Sequence, residues 1–200
     1  MDVSAEPGAP RDITYAYKPA LIGAPFEFRL GPAGLEWRKG GRGDCIPYGR
    51  IRRLRLSFRP VNMQSYRFLA EIWAPGAPKL QVSSTSWRSM MEQERHDAKY
   101  AAFIAELHRR MAAAGSTASF EAGSPPLIYW VGAVVFAALC LAFAGLTVRA
   151  LQASALTAAA IVGGFLALSL WQVGTFFRRN RPATYRPDAL PEQVMPQSRE

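Results

Sequence analysis

The sequence predicts an α+β protein: a small antiparallel barrel or bent sheet capped by one C-terminal helix, followed by a transmembrane helical hairpin. Three observations carry this. Two long uncharged stretches, residues 127–148 and 150–177, are separated by a single charged residue, Arg149. Upstream, short runs alternate apolar and polar side chains with the period of a half-buried strand. The last of these runs is followed by an apolar stripe at helical spacing.

Each uncharged stretch matches the about 20 apolar residues that cross a bilayer as helix. One continuous helix would run about 76 Å at about 1.5 Å per residue, against a hydrocarbon core of about 30 Å. The chain is therefore expected to turn near Arg149, giving spans 127–148 and 151–177 with both flanks on one side. A pair of buried core helices would carry a polar face, and neither span shows one. Arg178, Arg179, Arg181 and Arg186 follow the second span, Arg109 and Arg110 precede the first, and Arg149 alone lies between. The positive-inside bias then puts both termini in the cytoplasm. Tyr129 and Trp130 open the first span, and Trp171, Phe176 and Phe177 close the second, as interfacial anchors do. Residues 1–10 carry acids and prolines where a secretory signal has a basic start and an apolar run, so the first span is expected to act as the insertion signal.

Ala155, Ala159, Gly163 and Ala167 recur every fourth residue on the second span. Ala133, Ala137 and Gly145 share a stripe of the first, with Leu141 in the gap. Small residues at this spacing let helices approach closely in lipid. The stripe reads as the seam within the hairpin, with homodimerisation as the alternative use. No Asp, Glu, Lys, Arg or His lies within either span. That argues against a proton relay or ion path.

The soluble domain is expected over residues 25–115, after an N-terminal extension at 1–24. Phe26, Phe28 and Leu30 alternate with Glu27 and Arg29; the turn Gly31-Pro32-Ala33-Gly34 follows, then Leu35 and Trp37. Residues 39–44 read as a polar loop, and the next strand resumes at Cys45. Leu54, Leu56 and Phe58 alternate with Arg53, Arg55, Ser57 and Arg59, while Ile51 is out of phase, which predicts a bulge or bend near Arg52. Strands at 66–73 and 80–84 follow. Tyr100, Phe103, Ile104, Leu107 and Met111 then share one helical face, with Asp97 as N-cap and Gly115 as stop. A start near Trp87 is the alternative. Residues 116–126 read as a flexible linker with a stiff end at Pro125-Pro126. The Pro-rich cytoplasmic tail, 178–200, cannot form a long helix. It reads as disordered, with an extended segment docked through Tyr185 and Leu190 as the alternative.

This order of elements resembles the bacterial pleckstrin-homology-like (PH-like) domains. The resemblance rests on the hairpin at 26–38, the run CIPYGRIRRLRLSF at 45–58, the strands at 66–73 and 80–84, and YAAFIAELHRRM at 100–111. It implies a barrel plugged at one end by Phe103, Ile104 and Leu107, and a binding or scaffolding role, often beside a few membrane helices. Fewer strands are legible than the seven of the full fold, so one or two are short or come from residues 13–21. Eukaryotic lipid-binding relatives grip inositol phosphates with basic residues in the first strand–strand loop. Here that loop, 31–34, has none.

The chain carries 24 Lys and Arg against 15 Asp and Glu, a net charge of +9. Alternation puts Arg53, Arg55 and Arg59 on one exposed face. Beneath an anionic leaflet each such residue gains about 1 kcal/mol. They are the candidate contact for anionic lipid or a protein partner, the alternative being a solvated sheet face. No nucleic-acid module is present, and nucleic acid is not an expected partner.

No catalytic or metal constellation is legible, and no cofactor is expected. Cys45 and Cys140 fall in different regions, so no disulfide follows. His96 and His108 read as solvated helix residues. The hydroxyl run at 83–86 reads as turn chemistry, and GRGD at 41–44 as chance. The expected protein is a two-pass bacterial inner-membrane, non-enzymatic binding or scaffold module. The alternative is an accessory subunit of a larger membrane complex, joined through its hairpin.

Overall fold

The computed structural model describes residues 13–60, 66–89 and 93–196. Residues 1–12, half of the expected extension and the segment weighed as a signal, lie outside the described residues. The extension nonetheless supplies the first strand. Strands β1 (Ile13–Tyr17), β2 (Phe26–Leu30), β3 (Leu35–Lys39) and β4 (Arg42–Ile46) form one antiparallel sheet in that order. Tyr15, Tyr17, Phe28, Leu30, Leu35 and Ile46 point into the core. The expected polar loop at 39–44 is instead the β3–β4 turn at Gly40, φ +60°, and most of β4. Only Ile46 of that strand is buried, so it shows no alternation to read.

A 3-10 turn at Tyr48–Arg50 carries the chain to β5 (Arg53–Pro60) in a second sheet. The phase break at Ile51 is thus the bend of the two expected alternatives, a change of sheet rather than a bulge. After β6 (Tyr66–Trp73) and β7 (Leu80–Ser83) comes a small pair, β8 (Thr85–Trp87) and β9 (Gln93–Arg95). Helix α1 (Asp97–Ala113) therefore starts at Asp97, with His96 at the cap position, and not near Trp87. It ends where Gly115 takes φ +63° and Ser116 N–H reaches back to the Met111 carbonyl at 3.0 Å. Tyr100, Phe103, Ile104, Leu107 and Met111 are buried between the two sheets.

The expected linker contains β10 (Ser119–Ala122), which runs parallel to β5 and buries Phe120. Two long helices follow, α2 (Pro126–Gln152) and α3 (Leu156–Arg179). The tail then returns as β11 (Ala183–Thr184), antiparallel to β10. The second sheet has the order β11-β10-β5-β6-β7. The tail is docked and its described part is ordered into the domain: Val194 and Met195 are in the core, with Tyr185 and Leu190 packed against it.

Among the described residues no closed barrel forms by backbone pairing. The free edges of β1 and β7 are bridged by side chains instead. Tyr15 and Tyr17 donate their hydroxyls, each at 2.6 Å, to the carbonyls of Ser83 and Gln81. These edge carbonyls would otherwise need water.

Helices α2 and α3 have 27 and 24 residues and are apolar enough to cross a membrane. At about 1.5 Å per residue they reach about 40 and 36 Å. In α2 no residue is buried, and in α3 only Ala159 is, so they are not core helices of the sheet domain. The turn is at residues 153–155, not at Arg149, which lies in the last turn of α2. Arg149, Leu151 and Gln152 are good helix formers and give the chain no reason to stop. It stops where Ser154 takes the left-handed φ of 56° and Ala155 N–H bonds the Ala150 carbonyl at 2.9 Å.

The seam between the helices differs from the expected stripe. Phe136 stacks on Phe177, Phe143 meets Phe165, and Tyr129 meets Phe177 edge-on. Ala159 is buried, and Ala133 and Gly163 are half-buried, with Gly163 facing Thr147. Ala137, Gly145, Ala155 and Ala167 are exposed. An every-fourth-residue row drifts about 40° per step around a helix of about 3.6 residues per turn. On α3 only the middle members, Ala159 and Gly163, are covered, and on α2 only the first, Ala133.

Candidate functional site

The two flanks of the hairpin converge on one end of β5. Gly123, just after β10, donates its N–H to the Leu56 carbonyl at 2.7 Å and has φ +83°. A Cβ there would lie 2.5 Å from the carbonyl oxygens of Asn180 and Arg181, so only glycine permits the approach. Asn180, which caps α3, is buried. Its Oδ1 accepts from the Phe58 N–H at 3.1 Å, and its own carbonyl accepts from the Ser124 N–H at 3.0 Å. The entry to α2 and the exit from α3 are thus tied to the same strand. Both flanks lie on one side of the hairpin.

The outward face of β5 carries the expected basic row, descending from Arg53 to Arg59 at the hairpin end. It is not the free exposed face that alternation predicts. Glu121 of β10 holds Arg53 at 2.7 Å and Arg55 at 2.5 Å, and Arg55 is only 6% exposed. Burial alone would raise the Glu121 carboxyl, but hydrogen bonds from Arg53 and Arg55 outweigh it and hold it below its usual range. The Trp73 ring receives Arg53, Arg55 and Lys79 at 5.1–5.5 Å. Buried Glu71, opposite Arg55 in register, binds Lys79 at 2.5 Å and lies 3.8 Å from Arg59. The alternation rule assigned the face correctly. It missed the covering, because the neighbouring strand was hidden in a segment that reads as linker. Arg59 alone of the three stays exposed.

At this end of the face lies a cleft of about 360 Å³. Arg55, Ser57, Arg59 and Ser124 make its polar side, and Ile128 and Phe176 of the two helices make its apolar side. Ser57 is 3% exposed, and its hydroxyl has no hydrogen-bond partner. A second hollow of about 260 Å³ shares Arg59 and adds Lys18 and Arg67, with no carboxylate in its lining. A larger hollow, about 900 Å³, lies against the first sheet. In its lining Arg29 pairs with Glu36 and Arg38 with Glu27, and Arg42 and Asp44 stand beside them.

Beyond the joint, Arg179 stacks over the Phe58 ring at 4.3 Å, while Arg178 and Arg181 are exposed. Trp130 and Trp171 are exposed on the hairpin, and Tyr129 packs on Trp130 and Phe177. His108 is buried rather than solvated. Its Nδ1 faces the Ile104 carbonyl at 2.7 Å and must carry the proton, so Nε2 accepts from the Tyr185 hydroxyl at 2.9 Å. Burial lowers its pKa to about 4 and keeps it neutral. Cys45 is exposed, Cys140 sits in α2, and both are free. Among the described residues no group of three or more His, Cys, Asp or Glu could hold a metal ion.

Sequence reasoning missed Ser57, Glu121, Gly123 and Asn180. The one local signal was a glycine and an asparagine immediately outside the two hydrophobic spans, where a close approach and a helix cap are needed. Comparison with protein-family models, with curated proteins and with solved structures finds no match to this chain.

Proposed function

We propose that this protein is a non-catalytic recognition module anchored in a bacterial inner membrane by its two-helix hairpin. Both termini are cytoplasmic. The sheet domain, read as PH-like, engages anionic lipid at the membrane surface. One observation carries this reading: Gly123 and Asn180 tie both hairpin flanks to the Arg59 end of β5. The domain is thereby held at the open end of the hairpin, with Arg59 and the flanking Arg178, Arg179 and Arg181 gathered there. That is the level of the headgroups when α2 and α3 cross the bilayer. The positive-inside bias supports the cytoplasmic side. Basic residues near an anionic leaflet contribute about 1 kcal/mol each.

The test is purification of the full chain in mild detergent, with mass spectrometry of the lipids and proteins that accompany it. Anionic lipids enriched over the host membrane, and depleted by Arg59→Glu, support the module. Absence of enrichment overturns it.

The second reading, an accessory subunit of a larger membrane complex, is favoured by a separate observation. Ala137, Gly145 and Ala167 lie exposed on the hairpin, away from its own seam, where another helix can pack closely. A stoichiometric membrane protein that co-purifies, and is lost on Gly145→Leu but not on Arg59→Glu, would establish it. The same small residues would serve a homodimer, which the native mass separates from both.

A further inference from the structure

We propose that the cleft between β5 and the two hairpin ends is a binding site for the headgroup phosphate of one anionic diacyl phospholipid. This rests on the membrane-recognition reading and gives it a particular site and ligand class.

The cleft joins two chemistries that only an amphipathic ligand satisfies together. Arg59 is its accessible cation. The carboxylate beside it, Glu71, is 3.8 Å away and already held by Lys79 at 2.5 Å, and a second cation, Arg67, lies opposite it in register. The forked guanidinium therefore keeps donors for the two non-bridging oxygens of a phosphodiester. Ser57, two residues back on the same face, brings a buried hydroxyl with no partner. A buried hydroxyl left unpaired is costly, and a ligand oxygen beside it removes that cost. Arg55 is committed to Glu121 through two hydrogen bonds, so it adds positive field at the back of the cleft rather than a new contact.

The opposite wall is apolar. Ile128, in the first turn of α2, and Phe176, near the end of α3, line the same cleft. They continue directly into the uncharged helix surfaces. A free phosphate would leave this wall uncovered, whereas a phospholipid would place its glycerol and upper acyl chains against it. At about 360 Å³ the cleft is the size of a small-ligand site. It is also distinct from the first strand–strand loop, which has no basic residue.

The experiment is native mass spectrometry of the full chain, delipidated in detergent and titrated with phosphatidylglycerol, phosphatidylcholine or glycerol 3-phosphate. The expected result is one saturable phosphatidylglycerol, bound more tightly than phosphatidylcholine. Arg59→Gln weakens it about tenfold and Ser57→Ala about threefold, as charge-assisted and neutral hydrogen bonds differ. Arg38→Gln, on the other sheet, leaves it unchanged. Saturable phosphatidylglycerol binding that ignores Arg59→Gln and Ser57→Ala overturns the cleft while leaving lipid recognition standing. No preference for phosphatidylglycerol overturns both. Glycerol 3-phosphate that binds as tightly and displaces the lipid makes the cleft a soluble-anion site and overturns the lipid assignment.

Discussion

The sheet domain and the hairpin are built from similarly apolar residues and treat them in opposite ways. In the domain Tyr100, Phe103, Ile104 and Leu107 are fully covered by protein. In the hairpin Ile161, Phe165, Leu170 and Trp171 stand exposed, and Ala159 alone is buried. The difference teaches that the hairpin leaves uncovered the kind of surface the domain buries, which is the surface the proposed bilayer would cover. Burial against water is the domain's main source of stability, at about 25 cal/mol per Å² of apolar surface. On the membrane reading proposed above, the hairpin would gain nothing of that kind in lipid, where helices associate through packing. The same substitution should therefore have unequal effects. Phe103→Ala should cost the domain about 3–5 kcal/mol. Phe165→Ala, at a ring 54% exposed and touching Phe143, should cost under about 1 kcal/mol. Proteolytic clipping of the domain and far-ultraviolet circular dichroism of the helices, both in detergent, separate the two. Equal losses would mean that the hairpin depends on water-driven burial after all.

Proton linkage sharpens the contrast, because a buried imidazole, His108, belongs to the sheet domain. His108 is buried against Phe120 and Tyr185, and its pKa falls from 6.5 to about 4. The unfolded chain binds a proton between those values and the folded chain does not. Its contribution is complete above pH 6.5, declines as pH falls, and is gone by about pH 4. A shift of this size corresponds to about 3 kcal/mol. The domain's unfolding midpoint should drop across that window while helix content stays constant. His108→Gln should flatten the drop. An unchanged drop in that variant would place the responsible group elsewhere.

Glycine separates the regions in the same manner. Gly123→Ala forces a Cβ to 2.5 Å from two carbonyl oxygens at φ +83°. It should cost about 2 kcal/mol or more. Gly145→Ala meets open space on a helix and should be neutral or slightly stabilising. Thermal midpoints of the two variants give the comparison directly. If Gly123→Ala is harmless, the joint is looser than its geometry implies.

What the sequence made legible follows from the same distinction. The hairpin was readable because its two long stretches carry no charge and no polar face, and the strands β2, β5 and β6 because water imposes a repeat on their side chains. Helix α1 was readable for the same reason. The linker hid β10 because its alternation, with Phe120 and Ala122 buried, runs over only four residues. Strand β4 hid because nearly all of it is exposed. The tail was legible only as a pair of alternatives, since Tyr185 and Leu190 mark apolar surface without saying where it goes. Its seat depends on His108, 77 positions away, and no local rule reaches that far. The basic row failed for a related reason. Spacing assigned Arg53, Arg55 and Arg59 to one face, but Glu121 stands 68 and 66 residues from the Arg53 and Arg55 it binds.

The smallest expected effect tests that long-range seat. Tyr185→Phe removes the hydroxyl that donates to His108 Nε2 and leaves the ring packed on Phe120. The ring nitrogen is then a buried acceptor without a donor, which costs about 1 kcal/mol. Thr175→Val in the hairpin removes a hydroxyl that only bonds the Trp171 carbonyl four residues back, so it should change stability far less. The two are measured as domain unfolding and as susceptibility of the tail to protease. Tyr185→Phe should also leave the pH window of His108 in place, because burial, not the tyrosine, lowers its pKa. A window that closes in this variant would mean that the hydroxyl, rather than the apolar surroundings, holds the imidazole neutral. The tail would then be a proton-sensitive latch instead of a packed strand.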